Sequence, residues 1–236
     1  MLYPPAMTTA PGTSHLPDLF EADTNDLLQH AEPGARTRDS DAAAERAHRE
    51  SAALRWSRSE LAGRLVELSS WGGGALLTLA FELVLQAQRE AEPVAWITGS
   101  STFFPPDAAR CGIDLDALPV IRVPDAPSAA RAADKLLRSG AFGLVILDLG
   151  TQSAIPPPLQ TRLLGLASKH DAAVLFLTEK PDDAPSLGSL VSLRAQAVRS
   201  RTGEDKFSCE ARAVKDKRRG PGWSHRELRH GPAGLR

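Results

Sequence analysis

From Gly63 onward the chain alternates between short, almost wholly apolar runs and longer segments whose apolar positions recur at helical spacing. "GRLVEL" reads as a strand, Leu76 to Glu90 as a helix and "PVAWITG" as a second strand. A Pro-rich loop leads to "PVIRV", a further strand, and "APSAARAADKLLRSG" is a helix with Ser128 near its start and Gly140 as its stop. "FGLVILDLG" is a nearly continuous apolar run ending in Asp148, the pattern of a strand covered on both faces. "PPPLQTRLLGLASKHD" is a helix entered through prolines, and "AAVLFLTE" is another buried strand. This alternation predicts an α/β core with a mostly parallel central sheet.

Beyond Glu179 the rhythm changes. "LVSLRAQAVRS" and "FSCEARAVKDK" alternate with period two around "RTGED", which predicts a C-terminal antiparallel hairpin turning at Gly203. The closing "RRGPGWSHRELRHGPAGLR" is basic and rich in Gly and Pro. Residues 1 to 40 show no sustained period apart from an amphipathic turn in "LPDLFEADTNDLLQH", and "SDAAAERAHRESAALRW" reads as an exposed helix capped by Ser40. The expected division is 1–57 as a mostly flexible acidic extension containing a helix, 58–217 as the core, and 218–236 as a basic flexible tail. No internal repeat is present.

Composition adds one asymmetry. The 236 residues carry a net charge of −1, yet ten Asp/Glu face six Arg through Glu60, whereas twelve Lys/Arg face five Asp/Glu from Arg194 to Arg236. An acidic front and a basic end point to an interaction surface at one end. Cys111 and Cys209 match no metal or redox spacing, there is no signal segment and no spanning apolar run, and a cytoplasmic protein without membrane contact is expected.

The chemistry turns on "SSWGGGALLTL". A phosphate loop of the pattern G-x-x-x-x-G-K-[ST] cradles phosphates on backbone N–H groups, with a Lys on the terminal phosphates and a hydroxyl on Mg²⁺. Gly72, Gly73 and Gly74 suit such a turn, but Leu76 and Leu77 stand where the Lys and hydroxyl belong, and Thr78 is one place too late. Leucines offer no polar replacement, so the stretch reads as a glycine-rich turn before a helix. No cofactor and no catalytic residue are expected. His225 and His230 are five apart and are read as having no third ligand nearby, so no metal is expected either.

The order of pieces from about Gly63 to Gly231 resembles the ATPase core of RecA recombinases. "GRLVEL" looks like the strand entering the phosphate loop, "GIDLDAL" (Gly112 to Leu118) like a G-[VI]-D-[IL]-D-x-L signature, "FGLVILD" like the Walker B strand with Asp148 as its remnant, and "VKDK" (Val214 to Lys217) like a V-K-N-K segment. The departures matter: the family's catalytic Glu falls on Ser100, its nucleotide-sensing Gln on Glu179, and "GTQSAIPPPLQ" leaves little of the first DNA-binding loop. A degenerate RecA with a basic end looks like the ImuA family of bacterial mutagenesis accessory proteins. That resemblance implies a non-catalytic role in SOS-induced translesion synthesis, with contacts to RecA and to ImuB, a polymerase-like protein, and through them to an error-prone DnaE-type polymerase. It also implies that Lys215 and Lys217 match lysines that reach a neighbouring protomer's phosphates in RecA filaments. The alternatives are a SulA-like division inhibitor binding FtsZ, and a weak ATP-binding repair protein.

In the basic end, Arg218, Arg219, Trp223, Arg226 and Arg229 form the densest candidate surface. A Trp among arginines suits a partner groove. It also suits single-stranded DNA, more weakly, or a Trp folded onto the core.

Overall fold

The computed structural model describes residues 56–99, 103–151 and 153–231. The expected acidic extension up to residue 55, with the helix expected in it, and Ser100 lie outside the described residues. The elements are α1 (Arg58–Leu61), β1 (Arg64–Ser70), α2 (Leu76–Arg89), β2 (Val94–Thr98), α3 (Pro105–Arg110), β3 (Val120–Arg122) and α4 (Ala126–Ser139). Then follow β4 (Leu144–Gly150), α5 (Pro157–His170), β5 (Ala173–Glu179), β6 (Leu193–Arg201), β7 (Lys206–Asp216) and β8 (Ser224–His230).

The eight strands form one sheet in the order β3-β2-β4-β5-β1-β6-β7-β8. All neighbours from β3 to β6 are parallel, while β7 runs antiparallel to β6 and β8 antiparallel to β7. The central strands β1, β2, β4 and β5 are buried along nearly their whole length because helices cover both faces. On one face Trp56, Leu79, Phe81, Leu83, Trp96 and Phe103 join α1, α2 and α3 to the sheet; on the other, Ala130, Leu137, Leu163 and Phe176 belong to the cluster under α4 and α5.

Local chemistry explains the boundaries. The α4 helix starts at Asp125, whose carboxylate accepts from the Ser128 N–H at 2.7 Å, so the cap is Asp125 and Ser128 is its partner. It stops at Gly140, which takes a left-handed φ of 69°. The α5 helix has Pro157 in its first turn, where a missing N–H is harmless.

The end of the chain departs from expectation. The composition of 218–236 predicts a flexible tail, but Ser224–His230 is a strand in register with Lys206–Arg212 of β7. Gly and Pro lie in the turn before it, at Gly220 to Gly222, and after it from Gly231 on, so none interrupts the strand, in which His225 points inward and Arg226 outward.

Candidate functional site

The β1 strand delivers the chain to the carboxyl edge of the sheet, where ligands of open α/β sheets bind. There Trp71 to Ala75 turn into α2. Gly72 and Gly73 take φ of 68° and 84°, and added side chains would meet nothing within 4 Å. Gly74 is different: a Cβ there would stand 2.4 Å from the Ala197 carbonyl oxygen of β6. Counting back from Leu76, the phosphate-loop pattern requires glycines at the places of Ser70 and Ala75, so the three glycines present occupy other positions. Ala75 is buried, Leu76 and Leu77 pack against the core of that face, and no acidic residue occupies the first turn of α2. We expect Gly74→Ala to cost about 1–3 kcal/mol through overpacking, read as a lower urea midpoint at unchanged m-value.

Beside the turn, the strand ends carry a buried polar network. Glu67 is fully buried; its Oε1 forms an ion pair with Lys180 Nζ at 2.5 Å and accepts from Thr178 Oγ1 at 2.9 Å, and its Oε2 accepts from the Leu187 N–H at 2.8 Å. Arg194 reaches the other side of the same segment, donating to the carbonyls of Pro181 and Ala184 and to Ser69 Oγ. Loop 180–192 is thus tied to β1 by charged groups. Asp148 is buried at the end of β4, where one oxygen accepts from Thr98 Oγ1 at 3.2 Å. A cavity of about 280 Å³ opens there, lined by Gly99, Asp125, Asp148, Gly150, Thr151 and Glu179. A second, of about 270 Å³, lies against the glycine turn with Trp71, Asp182, Gln196, Arg199 and Arg212 on its walls. Trp71 is 63 % exposed, an aromatic that sequence reasoning passed over because it sits inside the glycine run.

The C-terminal candidates separate into different surroundings. Lys217 is exposed and donates to the Ser189 carbonyl at 2.6 Å, and half-buried Lys215 donates to Ser186 Oγ at 3.1 Å. Burial, then the neighbouring Lys217, draws the Lys215 ammonium below its ordinary value. Arg218 reaches the Ala62 carbonyl, Arg219 pairs with Glu60 at 2.7 Å, Arg226 with Glu210 at 3.2 Å and Arg229 with Glu227. Trp223 is not part of a surface: it is 8 % exposed, and its Nε1 donates to Asp216 Oδ2 at 3.0 Å. It is therefore a core residue, because the β7–β8 turn folds it back over the sheet. His225 is not isolated in space: Glu82 of α2 and Glu227 of β8 lie beside it.

No helix among the described residues is long and apolar enough to cross a membrane.

No protein-family model matches the chain. In sequence it is 30 % identical over 137 residues to Protein RecA of Roseiflexus sp. (strain RS-1), an alignment covering 50 % of this chain and 38 % of that protein. Protein RecA of Fusobacterium nucleatum is 31 % identical over 136 residues, with 50 % and 36 % covered. The chain thus spans well under half the length of the RecA proteins it matches. In structure it is similar to the RadB recombinase, with a TM-score of 0.55 over 70 % of this chain and 87 % of that one; at 16 % identity this likeness concerns the fold alone. The core of this chain is RecA-like, homologous to RecA over half its length and folded as the same kind of α/β domain.

Proposed function

We propose that this protein is a non-catalytic, RecA-like accessory factor of DNA-damage-induced mutagenesis. In this reading it works in the cytoplasm and recruits or bridges RecA, an ImuB-type polymerase-like protein and, indirectly, a DnaE-type polymerase. The observation that carries it is the packing of Leu76 and Leu77 against the core at the head of α2, where phosphoryl transfer needs a cation and a metal-binding hydroxyl. Without those groups a triphosphate would set its charge against an apolar helix start and a turn lacking both pattern glycines. Partner contact is the use left to a fold of this kind that has no nucleotide switch. Exposed Lys217, Arg218, Arg219, Arg226 and Arg229 are its candidate surface, with half-buried Lys215 beside them. Stacking of DNA bases on Trp223 loses its support because the ring is buried.

The test offers RecA and the ImuB-type protein to the immobilised full-length chain, and titrates the same sample with fluorescent ATP and Mg²⁺. Truncation after Lys217 is unsuitable, since it removes β8 and Trp223 from the fold. Lys217→Glu is the better probe. The expected result is capture of at least one partner, weakened by Lys217→Glu, with no saturable nucleotide binding below about 1 mM, a free energy weaker than about −4 kcal/mol. Micromolar, Mg²⁺-dependent ATP binding with neither partner captured would reverse the reading.

A further inference from the structure

Glu82 projects from α2 towards β8, where His225 and Glu227, two residues apart, share one face of the strand. One ligating atom from each lies within 4.8 Å of the others. His225 Nε2 stands 3.4 Å from Glu82 Oε1 and 3.6 Å from Glu227 Oε1. The site is sheltered: His225 is 4 % exposed, and the Glu82 and Glu227 side chains 9 % and 26 %.

Two atoms in this group are anomalous. Buried polar atoms in folded proteins nearly always have hydrogen-bond partners, yet His225 Nε2 and Glu82 Oε2 make no hydrogen bond. Two of the other three carboxylate oxygens are held from outside, Glu82 Oε1 by Gln86 Nε2 at 3.1 Å and Glu227 Oε2 by Arg229, while Glu227 Oε1 faces His225. That arrangement orients each carboxylate and leaves one face of the group for a ligand, as outer partners do around metal sites.

We propose that Glu82, His225 and Glu227 bind one divalent transition-metal ion, of the Zn²⁺ or Mn²⁺ type, cross-linking α2 to β8. Ligands about 2.0–2.2 Å from a tetrahedral zinc stand roughly 3.3–3.6 Å apart, so the separations from His225 need little adjustment. One imidazole with two carboxylates suits borderline Zn²⁺ and, through its oxygens, the harder Mn²⁺, and two carboxylates supply the charge a dication needs. The remaining positions fall to water. Cys209 faces Glu227 across the β7–β8 register but is outside the group. Burial pushes its thiol up, which disfavours the thiolate a metal requires.

The test uses the full chain, stripped with chelator and titrated at pH 8 with Zn²⁺ alone and with Co²⁺ for its visible absorption. The proposal expects one equivalent bound, a melting temperature that rises and saturates at that equivalent, and at least tenfold weaker binding in both His225→Gln and Glu82→Gln. Glu82→Gln is nearly isosteric, and circular dichroism checks that each variant is folded. A zinc X-ray absorption spectrum of the wild-type complex supplies a readout independent of the variants and should show one imidazole and an oxygen shell. Unchanged affinity in folded Glu82→Gln, a sulfur shell, or no saturable binding below about 1 mM, weaker than about −4 kcal/mol, would overturn it.

Discussion

Asp216→Asn is expected to destabilise this protein by about 3–5 kcal/mol, the cost of leaving a buried charge without its partner. Asp216 collects three donors: Arg64 Nη2 at 2.6 Å and the Arg218 N–H at 2.9 Å on Oδ1, and Trp223 Nε1 at 3.0 Å on Oδ2. The Arg64 and Asp216 side chains are 3 % and 1 % exposed. An asparagine can turn its single oxygen to Arg64 and Arg218, but its amide then meets the Trp223 N–H donor to donor. The loss is read from urea unfolding at neutral pH. Arg219→Ala, which breaks an exposed pair with Glu60, should change stability by no more than about 1 kcal/mol. Equal effects for the two substitutions would refute the assignment.

The same carboxylate gives a pH signature. Burial pushes the Asp216 acid up, but the Arg218 N–H, Arg64 and Trp223 together reverse this and hold it below the usual aspartate range. A depressed folded-state value contributes stability above the unfolded value of about 3.9, which is lost as pH falls through the folded one. Wild type and Asp216→Asn should therefore converge below about pH 4, with their full separation near neutrality. A separation that stayed constant through the acid range would show that the carboxylate charge contributes nothing.

The second large effect is expected at Glu67. Glu67→Gln removes the charge that holds Lys180, Thr178 and the Leu187 N–H, at a cost of roughly 2–3 kcal/mol. The Lys180 side chain, 16 % exposed, recovers some hydration, so the loss falls below that at Asp216. Its consequence is local. Loop 180–192 also supplies Ser186 and Ser189 to Lys215 and Lys217, so its release loosens the segment presenting the proposed partner surface. Hydrogen exchange at the Leu187 amide should accelerate while amides of β4 and β5 keep their protection. Unchanged exchange at Leu187 would show that the loop is held by Arg194 and the lysines without Glu67.

Much of the fold was legible because its signals are local. Apolar runs at β4 and β5 and the helical period of α2 and α4 depend on neighbours in sequence, and so does the stop at Gly140. The mismatch of Leu76 and Leu77 with a phosphate-loop pattern was legible for the same reason, as a motif counts residues along one stretch. The three glycines misled in part. Only the β6 contact shows that Gly74 is required for close approach to Ala197, whereas Gly72 and Gly73 serve the turn.

What the sequence by itself determined is thus the α/β class, its central elements and the apolar Leu76 and Leu77 that follow the glycine turn before α2. The tertiary structure alone decided the fate of the C-terminal end. Gly, Pro and Arg made it read as a loose tail, but strand pairing has no local price tag: the register of β8 on β7 buries Trp223 and His225 and turns Arg226 outwards. Arg64 meets Asp216 across 152 positions, and Glu82 meets His225 only because α2 packs against the sheet at β6 and β7, next to β8. Such contacts arise when distant elements are packed against one sheet, and no periodicity within a single element carries them.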